Sequence, residues 1–348
     1  MTPHPDDWLR HVTPDVPPRG ELDRAGAELA AEIDRWNAEA QAARDRAEAE
    51  RARPEAHVSA RTAVERFFAD AIADHPPAVH TPWHDLDLCL GRAIRRSELI
   101  LIASRPGVGK TWALLELIER TLRRDPAAGA LIFELEMLAE HLGERLAGHA
   151  LGLSPRELTQ SAKKQTVTAE DVMTKEPALE RFEIHEQGVS VRDLPKAIES
   201  VEKARGWRPS VIAVDYVGLL EWDGAAGAKS YERVSDNARR LKDVARSEGV
   251  AILAAVQLSR AAGVGATKPS LDQMRDSGVL EEAADRVLGL WRETEIEDET
   301  PADKRRGEIG LVVLKNRFGQ SDGEVGLRFD EALRLVERGS EPQEEFPF

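Results

Sequence analysis

The chain has 348 residues, a formal net charge of −15 and one cysteine, Cys89. That acidic balance excludes a protein that coats nucleic acid over its whole surface. A single cysteine excludes an internal disulfide framework, and no apolar run reaches the roughly 18 residues a membrane span requires.

Hydrophobic residues at 41% suffice for a sizeable core, and the length predicts two domains or one large α/β domain with an appendage. The opening Met1-Thr-Pro-His-Pro-Asp-Asp7 has neither the basic start nor the apolar segment of a secretion signal. A soluble, cytoplasmic protein with no membrane contact is expected. Residues 1–20, rich in Pro and Asp, are expected to be disordered. Residues 21–53 are Ala, Glu and Arg with almost no breaker, a helical composition whose Leu22, Leu29, Ile33 and Trp36 form one narrow stripe. Pro54 ends it. Between Val58 and Asp74 a second helix is predicted, with Val64, Phe67, Phe68, Ala71 and Ile72 on one face. Two adjacent phenylalanines on so short a helix need burial, against their own domain or against a neighbouring subunit.

From residue 81 to 338 short apolar strands alternate with amphipathic helices. Strands are predicted at 98–103, 130–135, 182–185, 211–214, 251–257, 286–291, 308–315 and 324–329, and helices near 110–124, 138–151, 191–205 and 231–248. This alternation specifies an α/β fold with a mostly parallel sheet and helices on both faces. The closely spaced later strands predict an antiparallel extension. Sequential placement predicts that the strand at 130–135 lies beside the one at 98–103. Residues 293–307 and 339–348 read as charged loop and acidic tail.

The most constraining passage is Leu99 to Thr111, an apolar strand followed by Arg105-Pro106-Gly107-Val108-Gly109-Lys110-Thr111 and a helix. This is the order of a phosphate loop, in which backbone N–H groups of residues 107–111 and the helix N-terminus face a polyphosphate. Lys110 is placed to reach the β and γ phosphates of a nucleoside triphosphate, and the Thr111 hydroxyl to ligate Mg²⁺. Ser104 stands where the strict pattern has its first glycine.

Other strand ends supply the remaining chemistry. Val211-Ile-Ala-Val-Asp215 is an apolar strand ending in a carboxylate, suited to hold Mg²⁺ or its water. Glu136 follows the strand at 130–135 and is a candidate to orient the attacking water, although a surface glutamate reads the same way and Glu134 is two residues away. Gln257 ends another strand, where an amide can sense a γ-phosphate and pass its loss to the next loop. Lys315 and Arg317 lie at the end of the strand at 308–315, and Arg317 is a candidate to stabilise phosphate charge, in cis or from a neighbour.

Taken together and in order, these segments resemble the C-terminal ATPase domain of DnaB-type replicative helicases, a RecA-like fold, over about three quarters of the chain. Thr81-Pro-Trp-His-Asp-Leu-Asp resembles the family's lead-in, Arg105 to Thr111 its phosphate loop, and Glu134-Leu-Glu136-Met the segment carrying its catalytic glutamate. Asp215-Tyr216 resembles its Walker B end, Gln257-Leu-Ser-Arg260 its glutamine sensor, and Arg275 to Asp285 the stretch that follows. Lys315-Asn-Arg317-Phe-Gly resembles the motif whose cations reach the neighbouring subunit's γ-phosphate.

The resemblance implies a ring, expected to be a hexamer, that hydrolyses ATP with Mg²⁺ between subunits and acts as a helicase on single-stranded DNA. Loops after Asp215 and Gln257 would hold the DNA backbone; the residues they offer are Lys229, Tyr231, Arg233, Arg239, Arg240 and Lys268. The helix bearing Val64, Phe67, Phe68 and Ile72 takes the place of the family's linker helix, which packs on an adjacent subunit. The charged opening 80 residues differ from the family's globular N-terminal domain. The tail Glu341 to Phe348 reads first as a disordered acidic end; it is also similar to the partner-binding tips of single-strand-binding proteins, which would imply a replication partner. Two other readings stand beside this one: a RecA-like ATPase used as a nucleotide switch or assembly platform without processive unwinding, and a recombinase-type filament.

Overall fold

The computed structural model describes residues 58–72, 77–224, 228–258, 268–271, 273, 278–292 and 308–339. The chain divides into units at 1–58 and 59–348, and nearly everything described lies in the second. The charged helix read at 21–53, the acidic tail, and the motif residues Ser259, Arg260 and Arg275 lie outside the described residues.

One nine-stranded sheet organises the second unit, in the order β3-β2-β4-β5-β1-β6-β7-β8-β9. The parallel part comprises β1 (Leu99–Ser104), β2 (Ala130–Glu134), β3 (Phe182–His185), β4 (Val211–Asp215), β5 (Ala251–Gln257) and β6 (Arg286–Arg292). The antiparallel arm is β7 (Glu308–Asn316), β8 (Glu324–Phe329) and β9 (Leu335–Glu337). All eight predicted strands are present; β9 was not expected. The placement of β2 beside β1 is corrected. Both edges of β1 are taken, by β5 and β6, and β2 pairs with β3 and β4 instead. That order matters below, because it sets Glu134 directly opposite Asp215.

The strands are apolar almost throughout because both faces are covered. Their residues alternate between two cores. Ile100, Ile102, Ile132 and Ala213 pack with Leu114, Leu117 and Ile118 of α3 (Lys110–Arg124), counting as α1 the helix Ala60–Ile72 and as α2 His84–Leu90. On the other face Leu99, Leu101, Phe133 and Ile212 meet α7 (Leu194–Arg205) and α8 (Ser230–Glu248) through Leu194, Ile198 and Leu241. Between α3 and α7 lie α4 (Ala139–Leu151), α5 (Pro155–Lys163) and α6 (Ala169–Lys175), and α9 (Gly278–Ala283) precedes β6. Helices α5 and α6 begin with reciprocal caps, Ser154 with Glu157 and Thr168 with Asp171.

Trp83, in the lead-in segment, is fully buried and its indole N–H donates to the Leu335 carbonyl (2.9 Å). Helix α1 contrasts with this body: Phe67 and Phe68 are 60% and 58% exposed, and Val64 54%. Among the described residues no helix is long and apolar enough to cross a membrane.

Candidate functional site

The site lies at the C-terminal edge of the parallel strands, where open α/β sheets bind ligands. There β1 runs into the loop 105–109. Gly107 and Gly109 have φ of 74° and 130°, values that L side chains rarely adopt. A Cβ on Gly109 would also sit 3.3 Å from the Phe329 ring. Ser104, in place of the first glycine, is fully buried and donates its hydroxyl to the Arg105 carbonyl (2.8 Å). Helix α3 starts on Gly109 with no side-chain cap, so its first N–H groups and its positive end face the loop.

Four predicted residues come together here. Lys110 is buried, and burial lowers its pKa against the opposing pull of Asp215 and Glu136. Thr111 donates its hydroxyl to Asp215 Oδ2 at 2.6 Å. Asp215 is almost wholly buried; burial raises its pKa, while the Thr111 hydrogen bond and the Lys110 charge oppose the rise. Its Oδ1 is buried with no hydrogen-bond partner among the described residues. Glu136 is exposed at the lip, and its charge acts on both Lys110 and Asp215.

A hydroxyl beside a buried carboxylate with one unused oxygen is a hard-oxygen donor set that fits Mg²⁺. Among the described residues no three His, Cys, Asp or Glu side chains cluster as a metal cage. The fit is therefore to an ion that takes its other ligands from phosphate and water.

The structure separates the two glutamates that the residues alone left open. Glu134 is 0% exposed, and its Oε1 accepts the backbone N–H groups of Glu136 (3.0 Å) and Met137 (2.9 Å). Burial, and then the Asp215 charge, push its pKa up to about 7. Its position is internal, and Glu136 is the one that faces solvent.

Lys315 and Arg317 are not part of this cluster. Strand β7 is antiparallel to β6, so its end pairs with the beginning of β6, Asn316 opposite Arg286. The Arg317 N–H donates to the Asp285 carbonyl (2.9 Å), and its guanidinium lies 3.2 Å from Asp285 Oδ1. Asp285 also accepts the Leu99 N–H (2.8 Å) at the start of β1. The phosphate loop leaves the other end of β1, five residues on, which is roughly 16 Å away at strand rise. Arg317 and the phosphate loop of one chain thus occupy opposite edges of the sheet. By this register Arg317 lies away from the phosphate loop of its own chain. Lys315 donates to the Glu281 carbonyl (2.5 Å), and burial followed by the Arg317 charge lowers its pKa.

The family model for the DnaB-like helicase C-terminal domain matches residues 78–337. The chain belongs to this family. It is 29% identical over 242 residues to the replicative DNA helicase DnaC of Bacillus subtilis (strain 168), covering 68% of this chain and 51% of that one. With the replicative DNA helicase DnaB of Rhodothermus marinus it shares 30% identity, covering 69% of this chain and 24% of that protein. The chain spans about half the length of most of these curated relatives. Among solved structures, an isolated ATPase domain superposes with a TM-score of 0.67 at 24% identity, covering 81% of this chain and 99% of that one. A DnaB-like replicative helicase studied with primase gives 0.65 at 22% identity, covering 90% of this chain and 75% of that one. At these identities the structural likeness shows the RecA-like fold.

Within this DnaB-like domain the remaining predicted residues are scattered. Gln257 is exposed at the end of β5, opposite Ser104, on the same edge as the phosphate loop. Arg233 donates to the Ala228 carbonyl (2.9 Å), Arg240 pairs with Asp223 and Asp236, and Lys268 pairs with Glu324. Arg239 and Lys229 are exposed on α8 and its cap; nothing is described for the Tyr231 side chain.

Sequence reasoning missed two groups. Arg145 of α4 lies 4.4 Å over the Trp112 ring and 3.3 Å from Met137 Sδ, joining the first turn of α3 to the Glu136 turn. Asp285 collects Leu99, Lys242 and Arg317. Both are legible only through the packing of distant segments.

Proposed function

We propose that this chain is an ATP-dependent motor of DnaB-helicase type that acts on single-stranded DNA as a ring, hydrolysing ATP with Mg²⁺ between subunits. The observation that carries the reading is the separation of Arg317 from the Lys110, Thr111, Asp215 and Glu136 cluster. An ATPase site built on that cluster is completed by a cation from a second copy.

In the proposed reaction Lys110 and the N–H groups of the loop and α3 bind the phosphates. Thr111 and Asp215 would hold Mg²⁺, which when bound would neutralise phosphate charge. Glu136 orients the attacking water and takes its proton. Arg317, with Lys315, comes from the adjacent subunit and stabilises charge on the transferring phosphoryl group. Gln257 senses the γ-phosphate from the tip of β5 and couples its loss to the following loop.

Val64, Phe67, Phe68 and Ile72 of α1 supply the contact between subunits. The groove of about 450 Å³ lined by Ala147, Leu158, Ala162 and Val172, and also by Glu140, Glu144 and Lys163, would offer such a helix a partly apolar surface. DNA would follow α8 and the loops after β4 and β5, using Lys229, Tyr231, Arg233, Arg239, Arg240 and Lys268. Arg240 and Lys268 would exchange their carboxylate partners for phosphates. The acidic C-terminal tail would serve a replication partner, and the site of action is the cytoplasm.

Electron microscopy of the protein with a non-hydrolysable ATP analogue and oligo-dT, paired with an ATPase assay, tests the whole reading. Closed rings with DNA in the centre and DNA-stimulated turnover are expected. A lone protomer with no affinity for ATP would overturn it.

A further inference from the structure

The exposed Glu136 owes its position to a second glutamate that the proposed chemistry does not use. Strand β2 ends at Glu134, where its ladder with β4 closes opposite Asp215. Beyond that point the Glu136 and Met137 N–H groups have no strand to donate to. Both turn inward and meet one oxygen, Oε1 of Glu134, at 3.0 and 2.9 Å. The carboxylate that receives them is completely buried and its Oε2 has no hydrogen-bond partner among the described residues. The Leu135 N–H donates to the Asp215 carbonyl at 2.9 Å, so the same turn is tied to the strand carrying Asp215. On its outer side the turn is held by Arg145, which donates to Met137 Sδ.

A buried carboxylate is costly to keep, and one held only for stability would be better replaced by an apolar side chain. Here it replaces the missing ladder partners of two consecutive amides, the first of which belongs to the residue placed at the attacking water. We infer that Glu134 is a positioning residue: its carboxylate fixes the 135–137 turn and thereby aims the Glu136 side chain at the space beside Lys110 and Asp215. The inference rests on the proposed role of Glu136. A displacement of about 1 Å at such a group costs on the order of 100-fold in rate.

The test compares Glu134→Gln, which keeps an oxygen acceptor at Oε1, with Glu134→Leu, which removes it at similar volume. Each is made in the parent chain and in Glu136→Gln. Steady-state ATPase gives kcat and KM, and a fluorescent ATP analogue gives nucleotide affinity and shows that each variant folds. Glu134→Gln is expected to keep kcat within about threefold of the parent, since the acceptor survives. Glu134→Leu is expected to lose about 100-fold in kcat with nucleotide affinity within about twofold. In the Glu136→Gln background the Leu substitution should cost nothing more, because a positioning residue acts only through the group it positions.

Parent-like kcat in Glu134→Leu overturns the inference. So does a further loss on Glu136→Gln, or a Glu134→Gln variant as inactive as Glu136→Gln, which would give the Glu134 charge its own role. Should Glu134→Leu not bind nucleotide, Glu134→Val takes its place under the same criteria. Parent-like turnover in Glu136→Gln alone would sink the role assigned to Glu136, an outcome separate from all of these.

Discussion

The two edges of the parallel sheet are built differently. At the C-terminal edge Lys110 and Asp215 are buried, and the half-buried Thr111 donates its hydroxyl to Asp215. At the opposite edge Arg317 is half exposed and anchored through Asp285, with no phosphate loop near it among the described residues. One edge is closed by local contacts, while under the proposed function the opposite edge acts only against a second copy. One protomer would then carry two half-sites, a reading that can be broken experimentally from either side.

The largest effect is expected from Arg317→Ala. Arginines that stabilise transferring phosphate charge are worth about 10³–10⁵ in rate, so variant assemblies should bind ATP normally and turn over at that deficit. Mixing with parent subunits sharpens the point. If Arg317 serves a neighbour, activity falls more steeply than the parent fraction wherever subunits act in sequence, and the parent nucleotide sites next to a variant are silenced. Loss strictly proportional to the variant fraction would show only that the sites fire independently, so the assignment of the arginine to a neighbour rests on the mixture with Glu136→Gln.

Glu136→Gln comes next, at about 10²–10⁴ in kcat for loss of a general base, with ATP affinity retained. Unlike Arg317→Ala, it should silence only the site that contains it. The two variants in one mixture therefore define a pair: parent phosphate loops facing Arg317-bearing neighbours work, and all other pairings fail. Rescue of activity on mixing the two inactive proteins is the measurement, and its absence would argue that the halves are not shared.

How much of this was legible beforehand depended on how far apart the deciding residues are in sequence. The phosphate loop was readable because strand, loop and helix are contiguous, and so were all eight predicted strands, whose apolar runs announce a two-sided sheet. The position of β2 was not, because pairing with β4 rather than β1 is a long-range choice that neither strand records. Helices α5 and α6 escaped notice because each buries one residue, Leu158 and Val172, too few to make a periodic stripe. Glu134 and Glu136 look alike on paper and were separated by burial alone. The partner of Arg317 was unreadable for a related reason: it needs the antiparallel register of β7 to say which end of the sheet the arginine reaches.

A smaller effect should follow from loosening the anchor at the second edge. Asp285 accepts from Leu99, Lys242 and Arg317, and Asp285→Asn keeps acceptor geometry while removing the charge that holds the guanidinium. A charge-assisted contact of this kind is worth about 1.5–3 kcal/mol. About a tenfold loss of kcat is expected at unchanged nucleotide affinity, without the complete neighbour silencing of Arg317→Ala. A variant with parent kcat would show that β7 alone presents the arginine.

The smallest effect concerns the scaffold behind the phosphate loop. On α3, Glu116 and Glu119 are both buried, with His149 Nδ1 of α4 hydrogen-bonded to Glu119 at 2.7 Å and Glu116 accepting the Leu335 N–H at 2.9 Å. Burial pushes the Glu116 carboxyl up to about 7, with the His149 charge opposing and the Glu119 charge adding. For His149 burial works downward, but the Glu119 hydrogen bond and the charges of Glu119 and Glu116 outweigh it and the pKa is raised. Both groups bind protons more tightly folded than unfolded, so each stabilises the fold at the acid end and loses that contribution as pH rises through its folded pKa. For Glu116 the loss between pH 6 and 8 is on the order of 1 kcal/mol, or roughly 3 °C in Tm. Glu116→Gln, which can still accept from Leu335, should flatten that profile in part, while Glu134, raised to about 7 in its own pocket, keeps a residual slope of the same sign. A parent profile no steeper between pH 6 and 8 than that of Glu116→Gln would mean that Glu116 is ionised in the native state. The two faces of α3 would then differ less than the two edges of the sheet.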